Sequence, residues 1–400
     1  MCVYFIGVKL ASRINNESRQ GKVLRAAIVG LGKMGLSHFA IVNAHPRLQL
    51  QAVCDSSSYL LEVLGRNTGV KTYADYDELL AKEQLDCVFI ATPSSAHATM
   101  VEAALRRGLA VFCEKPFVLE PAEGYRLADL AESARVANQV GYHFRFVATF
   151  AEARRLLDLE LLGRIHHVRA EAYGPVVLQP AGSSWRSRKS EGGGCLFDYA
   201  CHAIDMLNHL FGLPSAVSGT IFNSVFSAAV DDEIYSNLHY SGGMSGQLAV
   251  NWSDESTRKM SLRISAWGTN GRMSVDRQEI QIYLRKARTD EGLEQGWNTH
   301  STTALTRPVW FYMRGEEYSA QIDHFVECIE RGVTPIASFR TASDTDLVAD
   351  MMRADADTAR TAIAFPVRGV ASATARQVRD APRGLDRMAR WFGARGEGGA

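Results

Sequence analysis

The segment that most constrains the fold is a glycine turn between an apolar run and a helical pattern. Residues 30–35 read Gly-Leu-Gly-Lys-Met-Gly, which is the spacing G-x-G-x-x-G. The apolar run Leu24–Val29 leads into the turn, the helical pattern Met34–Ala44 leaves it, and Asp55 ends the next apolar run. A strand, a glycine turn, a helix and an acid in this order are typical of the first unit of a doubly wound α/β domain.

Each glycine of this turn has a physical role in binding a dinucleotide. Gly30 permits the tight turn, Gly32 lets backbone N–H groups approach a pyrophosphate, and Gly35 allows close packing of the helix. We therefore predict that these glycines, with Lys33 and Met34, bind a dinucleotide cofactor. A glycine-rich turn that binds nothing is the alternative.

The acid at the end of the second apolar run indicates which dinucleotide binds. The Asp55 carboxylate can accept hydrogen bonds from the adenosine ribose and would repel a 2′-phosphate. No Arg or Lys follows it before Arg66, so no cation is close in sequence to neutralise such a phosphate. The sequence thus predicts NAD in preference to NADP.

Apolar runs alternate with amphipathic segments as far as His143, which predicts parallel strands joined by crossover helices. The predicted strands are Leu24–Val29, Leu48–Cys54, Cys87–Ile90, Ala110–Cys113 and Val136–Tyr142. The predicted helices are Met34–Ala44, Tyr59–Asn67, Ala96–Arg107 and Ala122–Ala134. We therefore predict an α/β fold with a Rossmann domain over residues 22–143.

The pattern then changes to period-2 alternation with short turns, which predicts an open, mainly antiparallel sheet. The predicted strands are Ile165–Val176, Ala216–Phe226, Glu233–Tyr240, Ser245–Trp252, Ser261–Trp267, Arg272–Val275 and Glu279–Leu284. The predicted helices are Phe144–Leu162, Leu196–Phe211, Tyr318–Arg331 and Ala342–Thr361. Residues 144–367 are expected to form this second α/β domain, between an extension, 1–21, and a loosely ordered tail, 368–400, in which Leu385–Phe392 could form a short helix.

The amino-acid composition limits which binding partners and which cellular compartment the protein is expected to have. Lys plus Arg and Asp plus Glu both number 44, so no global field favours nucleic acid or an acidic membrane surface. The seven cysteines contain no C-x-x-C pair, which argues against a disulfide framework or zinc site and favours a reducing cytoplasm. No apolar run reaches the roughly 18 residues that span a bilayer.

Two segments carry residues suited to proton transfer. Lys115 follows the predicted strand Ala110–Cys113, so it lies at the carboxyl edge of the sheet, where such folds bind ligands. Asp198 and His202 are four apart on a predicted helix and share a face, and an imidazole beside a carboxylate can accept a hydroxyl proton near neutral pH. The alternatives are a solvated lysine and a polar pair on a helix surface. No third ligand is spaced to make a metal site.

Taken together, these motifs resemble those of the family of glucose-fructose oxidoreductase, inositol dehydrogenase and the rhizopine-catabolism protein MocA. The matching segments are the glycine turn, Ala91-Thr92-Pro93 with His97, Glu114-Lys115-Pro116, Gly141–Phe146, Trp185-Arg186, Gly192–Asp205 and Val230-Asp231-Asp232. The resemblance covers residues 23–367. It implies a Rossmann domain, a second α/β domain with an open sheet through which homodimers or homotetramers form, and a substrate cleft between the two domains.

The resemblance also implies roles for individual residues. Lys115 would polarise or help deprotonate the reacting hydroxyl, His202 would be the general acid/base, and Asp198 would hold substrate hydroxyls and orient His202. The expected neighbours of the nicotinamide and its ribose are Thr92, Pro93, His97 and Glu114. Weaker candidates for substrate contacts are Tyr142 and Arg186.

The expected activity is oxidation of a secondary hydroxyl on a polyol, sugar or sugar derivative, with hydride passing to NAD. Two alternatives stay open on the sequence. An NAD-retaining glycoside hydrolase of this fold would oxidise, eliminate and reduce again without net NADH. A non-catalytic sensor would bind NAD without turnover, although such a protein need not keep Lys115 and His202.

Overall fold

Two β-sheets organise residues 22–178 and 185–362, which are the residues that this computed structural model describes. The strands of the first sheet are β1 Leu24–Val29, β2 Leu48–Cys54, β3 Lys71–Tyr73, β4 Cys87–Ile90, β5 Ala110–Cys113 and β6 Asn138–Val140. The helices that connect them are α1 Lys33–Ala44, α2 Ser58–Thr68, α3 Tyr76–Lys82, α4 His97–Leu105 and α5 Pro121–Ala134.

All strands of the first sheet are parallel, in the order β3-β2-β1-β4-β5-β6. The order reverses between β1 and β4, and a crevice for ligands forms at the carboxyl ends of strands at such a reversal. Strands β4 and β5 are buried along their whole length, which explains their unbroken apolar sequences. The sequence missed β3 and α3, because β3 is short and none of its residues is fully buried.

The second sheet follows the first along the chain. Its strands are β7 Ile165–Tyr173, β8 Ala216–Asn223, β9 Glu233–His239, β10 Ser245–Asn251, β11 Ser261–Gly268, β12 Gly271–Val275, β13 Glu279–Leu284 and β14 Gly296–Ser301. The accompanying helices are α6 Ala148–Asp158, α7 Cys201–Phe211, α8 Thr302–Leu305, α9 Glu316–Arg331 and α10 Phe339–Ala362.

The order of the second sheet is β14-β13-β12-β11-β7-β10-β9-β8, and only the β7–β10 pairing is parallel. One face is buried: Val168, Ala170 and Ala172 of β7 belong to the same apolar core as α6 and α7. The predicted α/β class, with a Rossmann sheet and a mainly antiparallel second sheet, is confirmed. The sequence missed β14 and began α6 too early, since residues 143–146 form a separate 3₁₀ turn.

The last helices return to the first sheet. Tyr318, Ile322 and Phe325 of α9 pack in one apolar cluster with β1, β4 and α1, and Phe339 at the start of α10 stacks on Phe117 at 4.2 Å. The two sheets are thereby held around a common cleft. No helix of the described residues is long and apolar enough to cross a membrane. The predicted extension, tail and Leu385–Phe392 helix lie outside those residues.

Candidate active site

A cavity of about 2590 Å³ begins at the carboxyl ends of β1, β2, β4 and β5 and extends along α6, α7 and the second sheet. It brings together most of the site residues that the sequence singled out. Those lining it are Gly30, Gly32, Lys33, Met34, Asp55, Thr92, Pro93, Glu114, Lys115, Arg186, Asp198 and His202.

The glycine turn leaves space for an anion at the start of α1. Gly30 has a φ of 87°, and a Cβ there would lie 2.6 Å from the carbonyl oxygen of Ala91. A Cβ on Gly35 would lie 1.7 Å from the carbonyl oxygen of Gly30, so only glycine lets α1 pack against the turn. Nothing lies within 4 Å of the Cβ position of Gly32, which caps α1. This open space beside a helix N-terminus fits the pyrophosphate of a dinucleotide.

The acid that follows β2 is fixed to this turn. Asp55 Oδ2 accepts a hydrogen bond of 2.5 Å from the Leu31 N–H, and Oδ1 accepts one of 2.7 Å from the Ser57 N–H. Within the described part of the chain, no ion pair joins Asp55 to a Lys or Arg. Among the described residues, the Asp55 carboxylate therefore lines the cavity without an ion-paired Lys or Arg, which agrees with NAD as the cofactor.

A buried histidine fixes the carboxylate of Glu114 at the end of β5. His38 Nε2 lies 2.7 Å from Glu114 Oε1, and both side chains are buried. Burial raises the pKa of Glu114, but the hydrogen bond from His38 and the charges of His38 and Lys115 outweigh it and keep the pKa below its usual value. The same carboxylate lies against Gly141, where a Cβ would be 2.9 Å from Oε1. His38 was not among the site residues predicted from the sequence.

Lys115, Asp198 and Arg186 form the ionic centre of the cavity. Lys115 Nζ donates to Asp198 Oδ1 at 2.8 Å and to the Asp198 carbonyl at 3.0 Å, and Arg186 Nε donates to Oδ2 at 2.8 Å. Only 13% of the Lys115 side chain and 6% of that of Asp198 are exposed. Burial raises the pKa of Asp198, but the two cations outweigh it and lower the pKa to about 2. Burial lowers the pKa of Lys115, yet Asp198 raises it above its usual value.

The expected contact between Asp198 and His202 is absent from the described hydrogen bonds. Residues Leu196–Ala200 form a π-helical turn ahead of α7, and the side chains of Asp198 and His202 both line the cavity. The Asp198 carboxylate instead binds Lys115 and Arg186. The orienting role of Asp198 toward His202 stays a prediction.

His202 lies among aromatic rings at the cavity wall. Its ring centroid is 4.9 Å from that of His143, 5.2 Å from Phe144 and 6.0 Å from Tyr142. Its Nδ1 is buried and has no hydrogen-bond partner among the described residues. Burial, followed by the charges of Lys115 and Arg277, lowers the pKa of His202 well below its usual value. The imidazole is consequently neutral at neutral pH and can accept a proton.

Two predicted contact residues lie behind the cavity wall. His97 is buried, with Nε2 3.0 Å from the Thr92 carbonyl and Nδ1 2.9 Å from the Pro116 carbonyl. It therefore links the segments after β4 and β5 and does not line the cavity itself. Tyr142 is completely buried and does not line the cavity either, because its ring packs into the core of the first domain.

Asp205, the last residue of the Gly192–Asp205 motif, has a structural partner. Its carboxylate forms a buried ion pair with Arg145, with Oδ1 2.6 Å from Nη2 and at most 2% of either side chain exposed. Arg145 also donates to the carbonyl of Ile336. The pair thus connects the turn after β6 to α7 and to the segment before α10.

Several cavity residues were not identified from the sequence. They are His143, Tyr199, Arg277, Arg314 and Tyr318. His143 belongs to the Gly141–Phe146 motif, and this was the available signal. Tyr199 belongs to the Gly192–Asp205 motif, whereas Arg277, Arg314 and Tyr318 come from segments whose approach to the site depends on the tertiary fold. Within residues 22–178 and 185–362, no group of three or more His, Cys, Asp or Glu side chains is arranged to hold a metal ion.

Family models match both halves of the chain. Residues 24–142 match the model described as an oxidoreductase family with an NAD-binding Rossmann fold, and residues 150–274 match the GFO/IDH/MocA C-terminal domain.

Curated relatives cover most of the chain. The scyllo-inositol 2-dehydrogenase (NAD(+)) of Bacillus subtilis is 26% identical over 322 residues, which are 79% of this chain and 89% of that protein. The rhizopine catabolism protein MocA of Rhizobium meliloti is 30% identical over 230 residues, which are 56% of this chain and 70% of that protein.

A solved structure has the same fold. Levoglucosan dehydrogenase in complex with NADH and levoglucosan superposes with a TM-score of 0.76 at 22% identity, covering 84% of this chain and 97% of that one.

Proposed function

Because the chain belongs to the family of glucose-fructose oxidoreductase, inositol dehydrogenase and MocA, we propose that it is an NAD-dependent dehydrogenase that oxidises a secondary hydroxyl of a polyol, sugar or sugar derivative. The observation that carries the proposal is the presence of Lys115, Asp198 and His202 in one cavity with the glycine turn and Asp55. NAD, when bound, supplies the hydride acceptor.

The geometry supports distinct roles for the three central residues. Neutral His202 accepts the proton of the substrate hydroxyl. The ammonium of Lys115, which Asp198 keeps protonated, stabilises the negative charge that develops on the substrate oxygen. Asp198 fixes Lys115 and Arg186, and its carboxylate oxygens retain lone pairs that can accept hydrogen bonds from substrate hydroxyls.

The residues that would hold the cofactor form a continuous part of the cavity wall. The glycine turn supplies the open space at α1, Asp55 supplies acceptors for ribose hydroxyls, and Thr92, Pro93 and Glu114 follow at the ends of β4 and β5. Names of relatives include inositol and levoglucosan dehydrogenases, which suggests ring-shaped polyols and sugars as substrates here.

The test is NAD reduction, followed by absorbance, with a panel of myo-inositol, scyllo-inositol, D-glucose, D-glucuronate, levoglucosan and a nucleotide sugar. We expect NADH to accumulate with at least one member. Lys115→Met should lower kcat by about a thousandfold, since an ammonium near a developing alkoxide contributes on the order of 4 kcal/mol at an effective dielectric constant near 20. NAD binding, measured by fluorescence, should persist. Full turnover by Lys115→Met, or glycosidic cleavage without NADH, would contradict the proposal.

We further propose that the protein acts in the cytoplasm as a homodimer or homotetramer assembled through the second sheet. The six described cysteines are free and buried, which suits a reducing compartment. The outer face of the second sheet exposes Trp297 and Tyr283, which pack against each other at 5.4 Å. Light scattering after gel filtration should give a multiple of the monomer mass, and Trp297→Asp should reduce it.

A further inference from the structure

His143 occupies a position that the proposed mechanism does not use. It lies in the 3₁₀ turn between β6 and α6, is 9% exposed and lines the cavity. Its ring stacks on Tyr318 with 4.7 Å between centroids, and it meets the ring of His202 at 4.9 Å. The contacts with Tyr318 and His202 fix the plane of the His143 imidazole directly beside the proposed general base.

Arg277 determines which ring nitrogen of His143 carries the proton. Arg277 Nη2 lies 3.4 Å from His143 Nε2, and a guanidinium has only hydrogen-bond donors. Nε2 must therefore accept, so a neutral ring carries its proton on Nδ1. Arg277 is itself held by an ion pair with the buried carboxylate of Glu317, and its guanidinium lies 5.2 Å above the ring of Phe144.

The surroundings of His143 keep the ring neutral. The titratable ring of Tyr318 on α9 stacks on it. The other charged and titratable groups that face it are His202 on α7, Arg277 between β12 and β13, Lys115 after β5 and Arg314 ahead of α9. Burial and then these groups lower the pKa of His143 well below its usual value. Among the residues with described side chains, none accepts a hydrogen bond from Nδ1.

We propose that Arg277 holds His143 as the Nδ1–H tautomer, so that His143 donates a hydrogen bond to a substrate oxygen next to the hydroxyl that His202 deprotonates. Two neutral imidazoles then have opposite roles, one as donor and one as acceptor. The site would therefore select substrates with an oxygen vicinal to the reacting carbon. This inference rests on the proposed dehydrogenase function, with Arg277 as a positioning residue.

The tautomer can be measured without a substrate. Long-range ¹H–¹⁵N NMR on the full chain, labelled with ¹⁵N-histidine and saturated with NAD, distinguishes the two neutral forms, and His143→Asn assigns the signal. We expect the Nδ1–H form in the wild type and a shift toward the other form in Arg277→Met. Arg314→Met is the matched control, because Arg314 also faces His143 electrostatically but gives no hydrogen bond to its Nε2.

The Nε2–H form in the wild type, or equal shifts in both arginine variants, would overturn the inference. Because this measurement needs no substrate, its failure is distinguishable from a failure of the dehydrogenase proposal.

Kinetics with the panel member of highest turnover test the donated hydrogen bond. An Asn amide can place an N–H near the position of Nδ1, whereas a Gln amide reaches the position of Nε2. His143→Gln should raise KM by about tenfold or more, which corresponds to the loss of a hydrogen bond of ~1.4 kcal/mol, and His143→Asn should change KM less. Equal increases of KM in the two variants would contradict the role of Nδ1.

Discussion

Replacing Asp198 with Asn removes one buried negative charge with little change in shape. The neutral amide resembles the protonated acid, so its cost follows from the pKa of the carboxyl group. That pKa is about 2, against a usual value of 3.8. At about 1.4 kcal/mol per unit, the ionised form gains about 2 kcal/mol on folding, and Asp198→Asn should lower the free energy of unfolding at pH 7 by about that amount.

The sign of the pH dependence follows from the same shift. Because the folded pKa lies below the unfolded value, this stabilisation is complete above about pH 4 and is lost as the pH falls toward 2. The substitution of Asp198 should also lower the pKa of Lys115, which affects the alkaline part of the pH range. Burial, the largest influence on its pKa, lowers it, and without Asp198 that effect is no longer outweighed. The alkaline limit of kcat should therefore move to lower pH in Asp198→Asn.

Urea denaturation followed by intrinsic fluorescence measures the stability of each variant. Asp158→Asn is the matched control, because Asp158 pairs with Arg154 at the surface, where 53% and 40% of the two side chains are exposed. An exposed i,i+4 pair contributes about 0.5 kcal/mol or less. If Asp198→Asn were no less stable than Asp158→Asn, and its alkaline limit matched that of the wild type, the described ion pairs would not hold the site together.

Three further predictions concern the cofactor and the core. Asp55→Ser should raise the Kd for NAD about tenfold or more and reduce the preference over NADP, as measured by the ratio of kcat/KM values; an unchanged ratio would remove Asp55 from cofactor selection. Gly35→Ala should abolish NAD binding in calorimetry, because its Cβ would lie 1.7 Å from a carbonyl oxygen. Arg145→Met should destabilise the fold by about 3–5 kcal/mol in urea denaturation, since burial already raises the pKa of Asp205 and the substitution removes the buried cation that opposes it.

Features that depend on neighbouring residues were predictable from the sequence. The glycine turn is an example, because Gly30 and Gly35 contact each other within one turn. The spacing of the glycines alone therefore predicts that neither position can carry a Cβ. The buried strands were also visible, since β4 and β5 are enclosed on both faces and must be apolar throughout. The position of Lys115 directly after a predicted strand indicated that it would line a ligand cavity, and it does.

Features that depend on distant segments were not predictable. A π-helical turn has no distinct residue signature, so the π-helical geometry of Leu196–Ala200 was not predictable. The contact of His38 with Glu114 spans 76 residues, and the burial of His97 behind the cavity wall depends on the path of the chain after β5. No local periodicity carries such information.

The hydrogen bond between Lys115 and Asp198 can form only when the two segments that carry these residues are correctly folded against each other. The two residues are 83 positions apart and come from the segments after β5 and before α7. A chain in which only one sheet had formed would contain a cation or an anion without its partner, and it would have no reactive centre. The proposed catalytic centre is therefore complete only after the segments that follow β5 and precede α7 have folded against each other.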